Sequence, residues 1–460
     1  RADFILTVGA DPLAEAPMAA LAIRRAAVNG ATLAVIDPRP VTLPVFERSH
    51  HLVVSPAGMA PCLGALVKAG LRADAGDLPA GGPAEFYRTL PDDCGLPAAV
   101  EALAPILAAA RRVAVVCGTD LPDPGLVGLA ADLTRLFAAV RPWAGVSYLM
   151  PGPNAWGAVQ ALGTEAGDLD GLASGIAADK IKAVVAVEAD LFFPMADPTV
   201  PDAGVNRLDL LVALDCLPTE TVRRAGVVFP TQTVFEAGGT YASAEGRLGV
   251  ASSIFAGGTP VRQMADGGHP FRVYETGGIP GSTPQPAHRI LARLGDAVST
   301  TGWVAPAAPT ALVRECFPDI DLSGTALDGR RVLPDHPPVG GFAPFTAPEA
   351  GPTDGETLTL IFVDATFGTE ELSYRSEILR RVSPPEAVAL AINPADAERA
   401  GLTDGGRVRL RLAGGSLEVG VRVSASVSPG IVVLPRHEGI DWRAGRSRRV
   451  TIPLTQLETL

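Results

Sequence analysis

Short apolar runs alternate with helical stretches over the first 300 residues, and the pattern changes near residue 355. Phe4 to Val8 and Thr32 to Ile36 are mostly apolar and of strand length. Between them Pro17 suits a first helical turn, and Met18 to Val28 forms a helix that Asn29-Gly30 terminates. Strand, helix and strand with short connections predict a right-handed βαβ crossover in a parallel sheet. The same alternation continues with a strand at Leu52 to Val54 and a helix at Met59 to Ala69. After a Gly/Pro/Asp-rich connection (Gly70 to Pro83) come a helix at Ala98 to Ala110, a strand at Val113 to Val116 and a helix at Leu126 to Ala139.

Pro151-Gly152-Pro153 opens a stretch that reads as a loop as far as Ala158, because three breakers stand in its first three positions. Beyond it, helix Leu172 to Ala178, strands Ala183 to Val187 and Leu210 to Leu214, and helix Ala287 to Leu294 describe a second α/β domain. Residues 299 to 355 are rich in proline, glycine and alanine and read as a linker wrapping other surfaces. The strand signals Leu358 to Phe362, Arg407 to Leu412, Ser416 to Val423 and Ile431 to Leu434 come next, separated by Gly-rich turns and one helix, Pro394 to Ala400. They predict a small β-barrel. The expected domains are therefore 1–145 and 146–298 (both α/β), the 299–355 linker, and 356–460 (barrel).

Composition narrows the partners. With 47% apolar and 19% charged residues, the chain has ample material for burial. A net charge of −12 argues against nucleic acid or an anionic membrane surface, and no run of about 18 apolar residues predicts membrane insertion. The acid excess lies before Glu356, since about 13 basic and 13 acidic residues come after it. Cys62, Cys94, Cys117, Cys216 and Cys316 are scattered and never in C-x-x-C spacing, so no iron–sulfur binding run lies among them. They form no disulfide framework and suit a reducing compartment, with Cys117 expected as a small buried hydrophobe. The six histidines have no zinc-binding spacing, and His50-His51 read as a packed or solvated pair at a strand edge.

The most informative stretch is Thr219 to Arg247: a short helix at Glu220 to Arg224, a strand at Val227 to Phe229 stopped by Pro230, then Gly238-Gly239 and Thr240-Tyr241. Glu245-Gly246-Arg247 places an acid and a guanidinium together at a turn. This stretch resembles the A-D-V-V-L-P and E-K-D-G-T-F-T-N-T-E-G-R motifs of the molybdopterin oxidoreductase family. The starting segment D-F-I-L-T-V-G-A-D-P with G-A-T-L-A-V-I-D-P-R, and the run from Ile392 to Leu410, are similar to that family as well. The resemblance implies two parallel-sheet α/β domains followed by a small barrel of the molydopterin-dinucleotide-binding type.

Departures from the family's pattern shape the functional expectation. Gly226 stands in place of the usual Asp, and Ala242-Ser243-Ala244 in place of Thr-Asn-Thr, removing groups that would hydrogen-bond a phosphate or pterin. Thr366 to Ser373 (T-F-G-T-E-E-L-S) and Pro151 to Ala158 (P-G-P-N-A-W-G-A) resemble one branch, the large iron–sulfur (G) subunit of NADH-quinone oxidoreductase, respiratory complex I. In that branch the fold persists without molybdenum, and the clusters sit in N-terminal domains that would lie upstream of Arg1.

The resemblance thus implies a cofactor-free scaffold of the peripheral arm, on the cytoplasmic face of the bacterial membrane. Its partners would be neighbouring subunits, with no nucleic acid and no membrane insertion. Catalytic and metal-binding residues are expected to be none. The vestigial cofactor-facing positions are Asp37, Arg39, Asn154, Gly239, Glu245 and Arg247. Glu245 and Arg247 are expected to act locally, fixing the loop after Gly238-Gly239. The loop from Pro151 to Gly157 and the 299–355 linker are expected to fill the former cofactor channel.

Two alternatives stay open. One is a fragment of a catalytic molybdenum bis-pterin enzyme, such as a formate dehydrogenase or nitrate reductase, holding molybdopterin dinucleotide. The other is a stand-alone nucleotide-binding module using Asp37 and Arg39, which would lack the G-x-G-x-x-G turn.

Overall fold

The computed structural model describes residues 2–41, 49–121, 124–163, 167–192, 204–254, 284–298, 313–314, 316–317, 329–332, 341–348, 355–369, 371–445, 447 and 449–460. The chain forms two compact units, one from Arg1–Pro151 with His336–Leu460, the other from Gly152–Asp335.

The first unit starts with a five-stranded parallel sheet of β1 (Phe4–Val8), β2 (Thr32–Asp37), β3 (Ser49–Val53), β4 (Arg112–Gly118) and β5 (Trp143–Leu149), in the order β3-β2-β1-β4-β5. β1 and β2 are buried on both faces, which is why they read as near-continuous apolar runs. Helices α1 (Pro12–Glu15) and α2 (Pro17–Val28) join β1 to β2. Helix α3 (Met59–Gly70) is buried along nearly its whole length, and α4 (Gly82–Thr89), α5 (Pro97–Ala109) and α6 (Pro124–Val140) complete the layers. Helix α4 starts at the end of the expected Gly70 to Pro83 connection and continues to Thr89, beyond it. β5 escaped the pattern because it is a half-exposed edge strand two residues after α6.

The strands expected to form a barrel are part of a seven-stranded mixed sheet. It contains β11 (Thr357–Val363), β12 (Ala389–Ile392), β13 (Arg407–Leu412), β14 (Gly415–Val423), β15 (Ile431–Pro435), β16 (Arg449–Pro453) and β17 (Leu457–Thr459). The order β16-β11-β15-β12-β14-β13-β17 is a row with two ends, and no ladder pairs β16 with β17 among the described residues. The expected barrel closure is not seen among the described residues. Ile361, Val363, Ala391, Ile431 and Val433 share one hydrophobic cluster with Phe4, Leu6, Leu63, Leu66 and Phe137. The first and last stretches of the chain thus build a common core.

Most of the expected 299–355 linker lies outside the described residues. Its part 341–348 packs on the first unit: Phe342 stacks on Phe86 with ring centroids 5.1 Å apart, and the Arg135 guanidinium lies over the Phe342 ring at 4.3 Å. The Phe345 amide donates to Thr89 Oγ1 (3.0 Å).

The second unit holds α7 (Ala155–Leu162), α8 (Leu169–Ala177) and a three-stranded parallel sheet, β6 (Ala183–Val187), β7 (Leu210–Asp215) and β8 (Val227–Pro230). Short helices at Glu220–Arg224 and Val234–Ala237, an antiparallel hairpin of β9 (Gly239–Ala242) and β10 (Leu248–Ala251), and a helix at Ala287–Val298 also belong to it. The stretch expected as an irregular loop up to Ala158 is corrected: its breakers end at Asn154, and Ala155 starts a helix.

Candidate functional site

The carboxyl edge of the first sheet holds a cluster of buried charge. Asp37 ends β2 and is fully buried, and Arg39 comes two residues later at 5% exposure. The Arg39 guanidinium grips Asp37 with two bonds, Nε to Oδ1 (2.8 Å) and a terminal nitrogen to Oδ2 (2.9 Å), while the Arg39 amide also donates to Oδ1 (2.8 Å). Its remaining terminal nitrogen donates to Glu15 Oε1 (3.1 Å). Glu15 in turn accepts from the Asp11 amide (3.0 Å), and Asp11 Oδ1 caps α1 through the Leu13 and Ala14 amides. From the edge strand, His51 Nε2 donates to the Asp37 carbonyl (3.1 Å).

Burial sets the electrostatics of this cluster. It lifts Glu15 to about 7 against the pull of Arg39, and raises Asp11 for the same reason. His51 is lowered by burial, and burial with the Glu15 charge pushes the Cys117 thiol to about 12. Arg39 loses hydration by burial, yet Asp37, then Glu15, hold its charge more firmly than in water. Glu15, 24 residues from Arg39, is the member that sequence reading missed.

The sheet reverses its winding between β1 and β4, the position where open α/β sheets bind ligands at their carboxyl ends. Here a Cβ placed on Gly118 would overlap the Gly9 carbonyl oxygen. The gap between the two loop backbones is therefore narrower than a methyl group. Two cavities of about 760 and 710 Å³ lie elsewhere in this unit, and none of the six sequence-predicted positions lines them.

The other four positions belong to the second unit. Asn154 Oδ1 accepts from the Ala242 amide (2.7 Å), tying the start of α7 to the end of β9. Ala242 is buried with Leu248, Phe317 and Val332, and Trp156 packs against them. A threonine here would place a hydroxyl in that small apolar cluster. Gly239 starts β9. Glu245 and Arg247 flank the hairpin turn, where Gly246 takes φ +68 and its amide donates to the Ser243 carbonyl (2.8 Å). Their side chains approach only to 3.9 Å and are 79% and 59% exposed, so the expectation that this pair fixes the loop is corrected. Backbone bonds fix it instead: the Val332 amide donates to the Gly246 carbonyl (2.6 Å), and Leu248 pairs with 329–330.

A second group went unread in the sequence. Glu188 stands directly after β6 in a left-handed conformation, φ +48, and is raised first by burial and also by Asp215, which ends β7. Non-glycine residues in that region mark strained, over-determined sites. Beside it, Asp190 accepts from the Thr221 hydroxyl (2.7 Å) and the Glu220 amide (3.2 Å). Acids directly after an apolar strand were the available signal.

Among the described residues, no group of three or more His, Cys, Asp or Glu side chains could hold a metal ion, and no helix is long and apolar enough to cross a membrane.

Residues 363–454 match the molydopterin dinucleotide binding domain family. Over 152 residues the chain is 34% identical to the G subunit of the NADH-quinone oxidoreductase of Pseudomonas putida, covering 33% of this chain and 16% of that one. It is 24% identical over 496 residues to the alpha subunit of the NADPH-Fe(3+) oxidoreductase of Geobacter sulfurreducens, covering 97% and 55%. The chain thus spans a sixth to about half of the length of these relatives, which are oxidoreductase subunits. Acetylene hydratase from Pelobacter acetylenicus superposes with a TM-score of 0.61 at 12% identity, over 94% of this chain and 70% of that one, a likeness of fold.

The matched family implies a pterin dinucleotide, whose diphosphate needs outward-facing donors and whose hydroxyls need an unengaged acceptor. Several polar side chains that could serve are already engaged by the chain's own groups. Asp37 and Arg39 are turned onto each other. Within the matched segment, Asn393 bonds Val427 and Ala395, and Asp396 bonds Arg399 and the Gly430 amide. Arg436 pairs with Asp364 and Asp120, and His437 bonds the Ser383 carbonyl and the Gly439 amide.

Proposed function

We propose that this chain is the molybdopterin-oxidoreductase-like part of the large subunit of an NADH-quinone oxidoreductase, working as a scaffold in the peripheral arm without a bond-making group of its own. The observation that carries this reading is the Asp37–Arg39–Glu15 cluster: the pair best placed to receive a nucleotide is buried and bonded to itself. The partial homology to the G subunit supplies the complex. Under this reading the partners are neighbouring subunits on the cytoplasmic face, and the iron–sulfur clusters lie in upstream domains.

The test is purification of the complex through a tag on the full-length subunit. A flavin-containing NADH-oxidising partner should accompany it, with molybdenum well below one atom per chain by elemental analysis. One molybdenum per chain, with activity lost when molybdate is withheld, would overturn the scaffold in favour of a bis-pterin enzyme.

A second reading is favoured by the alignment over 97% of the chain with the NADPH-Fe(3+) oxidoreductase alpha subunit. The scaffold role would be the same, but the complex would oxidise NADPH and reduce ferric iron. Comparing NADH with NADPH, and quinone with ferric chelate, in the purified complex separates the two.

A further inference from the structure

The first sheet has two faces with unequal cover. On one, Val113 and Val115 of β4, with Ala144 and Val146 of β5, belong to the large cluster that α3, α5 and α6 build. On the other, Ile5, Leu33, Val116 and Leu149 pack with Ile23 and Ala27, and α2 is the helix that contributes to this cluster among the described residues. Side chains alternate along a strand, so Arg112 and Ala114 on β4 and Trp143, Gly145 and Ser147 on β5 share the face of Val116 and Leu149. Val116 and Leu149 are buried. Ala114, Gly145 and Ser147 are only half-buried, and Trp143 is 41% exposed.

This uncovered strip has an aromatic floor and charge of one sign. The Trp143 ring folds back along β5, where a Cβ on Gly145 would come within 3.0 Å of it, and the Arg112 guanidinium lies 5.6 Å from the ring centroid. Arg111 and Arg112 stand at the start of β4, at the end of the sheet where the last turns of α2 carry Arg24, Arg25 and Val28. None of these four guanidinium groups pairs with a carboxylate among the described residues, and α2 bears no acid. The adjacent Asp3 carboxylate already accepts from the Arg111 and Arg112 amides (3.1 and 2.9 Å). In a chain of net charge −12 this is a local excess of positive charge. Met18, Leu21 and Val28, exposed at helical spacing, add an apolar stripe along the outer side of α2.

Parallel sheets normally carry helices on both faces. Neighbouring strands lie about 4.8 Å apart, so β4 and β5 together offer a strip about the width of one helix, about 10 Å.

We propose that this half-face docks a helix of a neighbouring subunit, with small or apolar residues toward Ala114, Trp143 and Gly145 and carboxylates toward Arg111 and Arg112. The proposal rests on the reading of the chain as a scaffold within a complex. A second copy of the chain is the poorer occupant, because two-fold docking sets these arginines against their own counterparts with no free acid between them. Carboxylates of a partner would meet the arginines at the rim and steer association, while the Trp143 ring supplies the aromatic anchor.

The test compares the full-length subunit alone with the purified complex by hydroxyl-radical footprinting. Trp143 should oxidise about fivefold more slowly in the complex, as a ring at 41% exposure becomes buried. Photo-cross-linking from p-benzoylphenylalanine placed at Ser147 should join β5 to an acidic helical peptide of a neighbouring subunit. Arg112→Glu should weaken assembly about tenfold at low salt, and by less at high salt. Equal oxidation of Trp143 in the two samples, or cross-links to a second copy of this chain alone, would overturn the docking site and leave the scaffold reading standing. A tagged subunit that purifies without any partner would overturn the scaffold reading, and the docking site with it. The footprint of the unaltered chain decides the point if either altered chain fails to fold.

Discussion

The two units share a strand plan and differ in what lies beneath it. In the first, Phe4, Leu6, Leu63, Leu66 and Phe137 are fully buried in one cluster that reaches across to Ile361 and Val433. In the second, the described core is three small groups, around Leu211, Leu214 and Leu248. Charge divides in the same way. Asp37, Arg39, Asp396 and Arg436 are buried in the first unit, while the Glu245–Arg247 pair of the second is largely in water. A charge inside a dense core must be satisfied by its own chain, because an unpaired ion there costs several kcal/mol. A charge on a sparse unit is under no such demand. Buried signature residues therefore indicate architecture, and exposed ones indicate little until a partner is found.

Substitutions can break or sharpen this contrast. Arg39→Met should cost about 3–5 kcal/mol by leaving Asp37 buried and unpaired, and Asp37→Asn in the same chain should recover part of it. Urea denaturation with hydrogen exchange on first-unit peptides measures both. Phe137→Ala should cost a similar amount, about 3–5 kcal/mol, whereas Leu211→Ala should cost about 2 and leave the first unit's exchange unchanged. Equal losses at the two sites would dissolve the distinction.

Glu15 gives the contrast a pH signature. Burial lifts its carboxyl from 4.5 to about 7, so between those values the folded chain holds a proton that the unfolded chain has released. The resulting stabilisation is complete below about pH 4.5 and lost as pH rises through 7. Against Glu15→Gln, the unaltered chain should match at pH 4 and be weaker by about 3 kcal/mol at pH 8. Parallel stability curves for the two proteins would refute the assignment. Asn154→Ala should cost about 1–2 kcal/mol, seen as faster exchange of the Ala242 amide. Arg247→Ala should change stability by less than about 0.5 kcal/mol.

Legibility in the sequence depends on how local each cause is. β1, β2 and the turn at Asp37-Pro38-Arg39 were legible because burial on both faces leaves a continuous apolar run. The Asp37–Arg39 contact is two residues long, whereas Glu15 reaches it only through the sheet crossover. Pro151-Gly152-Pro153 concealed α7, since breakers carry no information about the residues beyond them. The strands of the seven-stranded sheet were legible, but strand alternation does not encode whether the end strands meet.

The first unit's divided sequence has a consequence during synthesis. Its opening 151 residues leave the ribosome before the whole of Gly152–Asp335, and the sheet that covers part of their core comes later still. The second unit's own segment is complete while the first still lacks β11 and β15. Until those strands arrive, the part of the core that Ile361, Val363, Ile431 and Val433 join stays open to water, a surface that a nascent-chain chaperone is suited to hold.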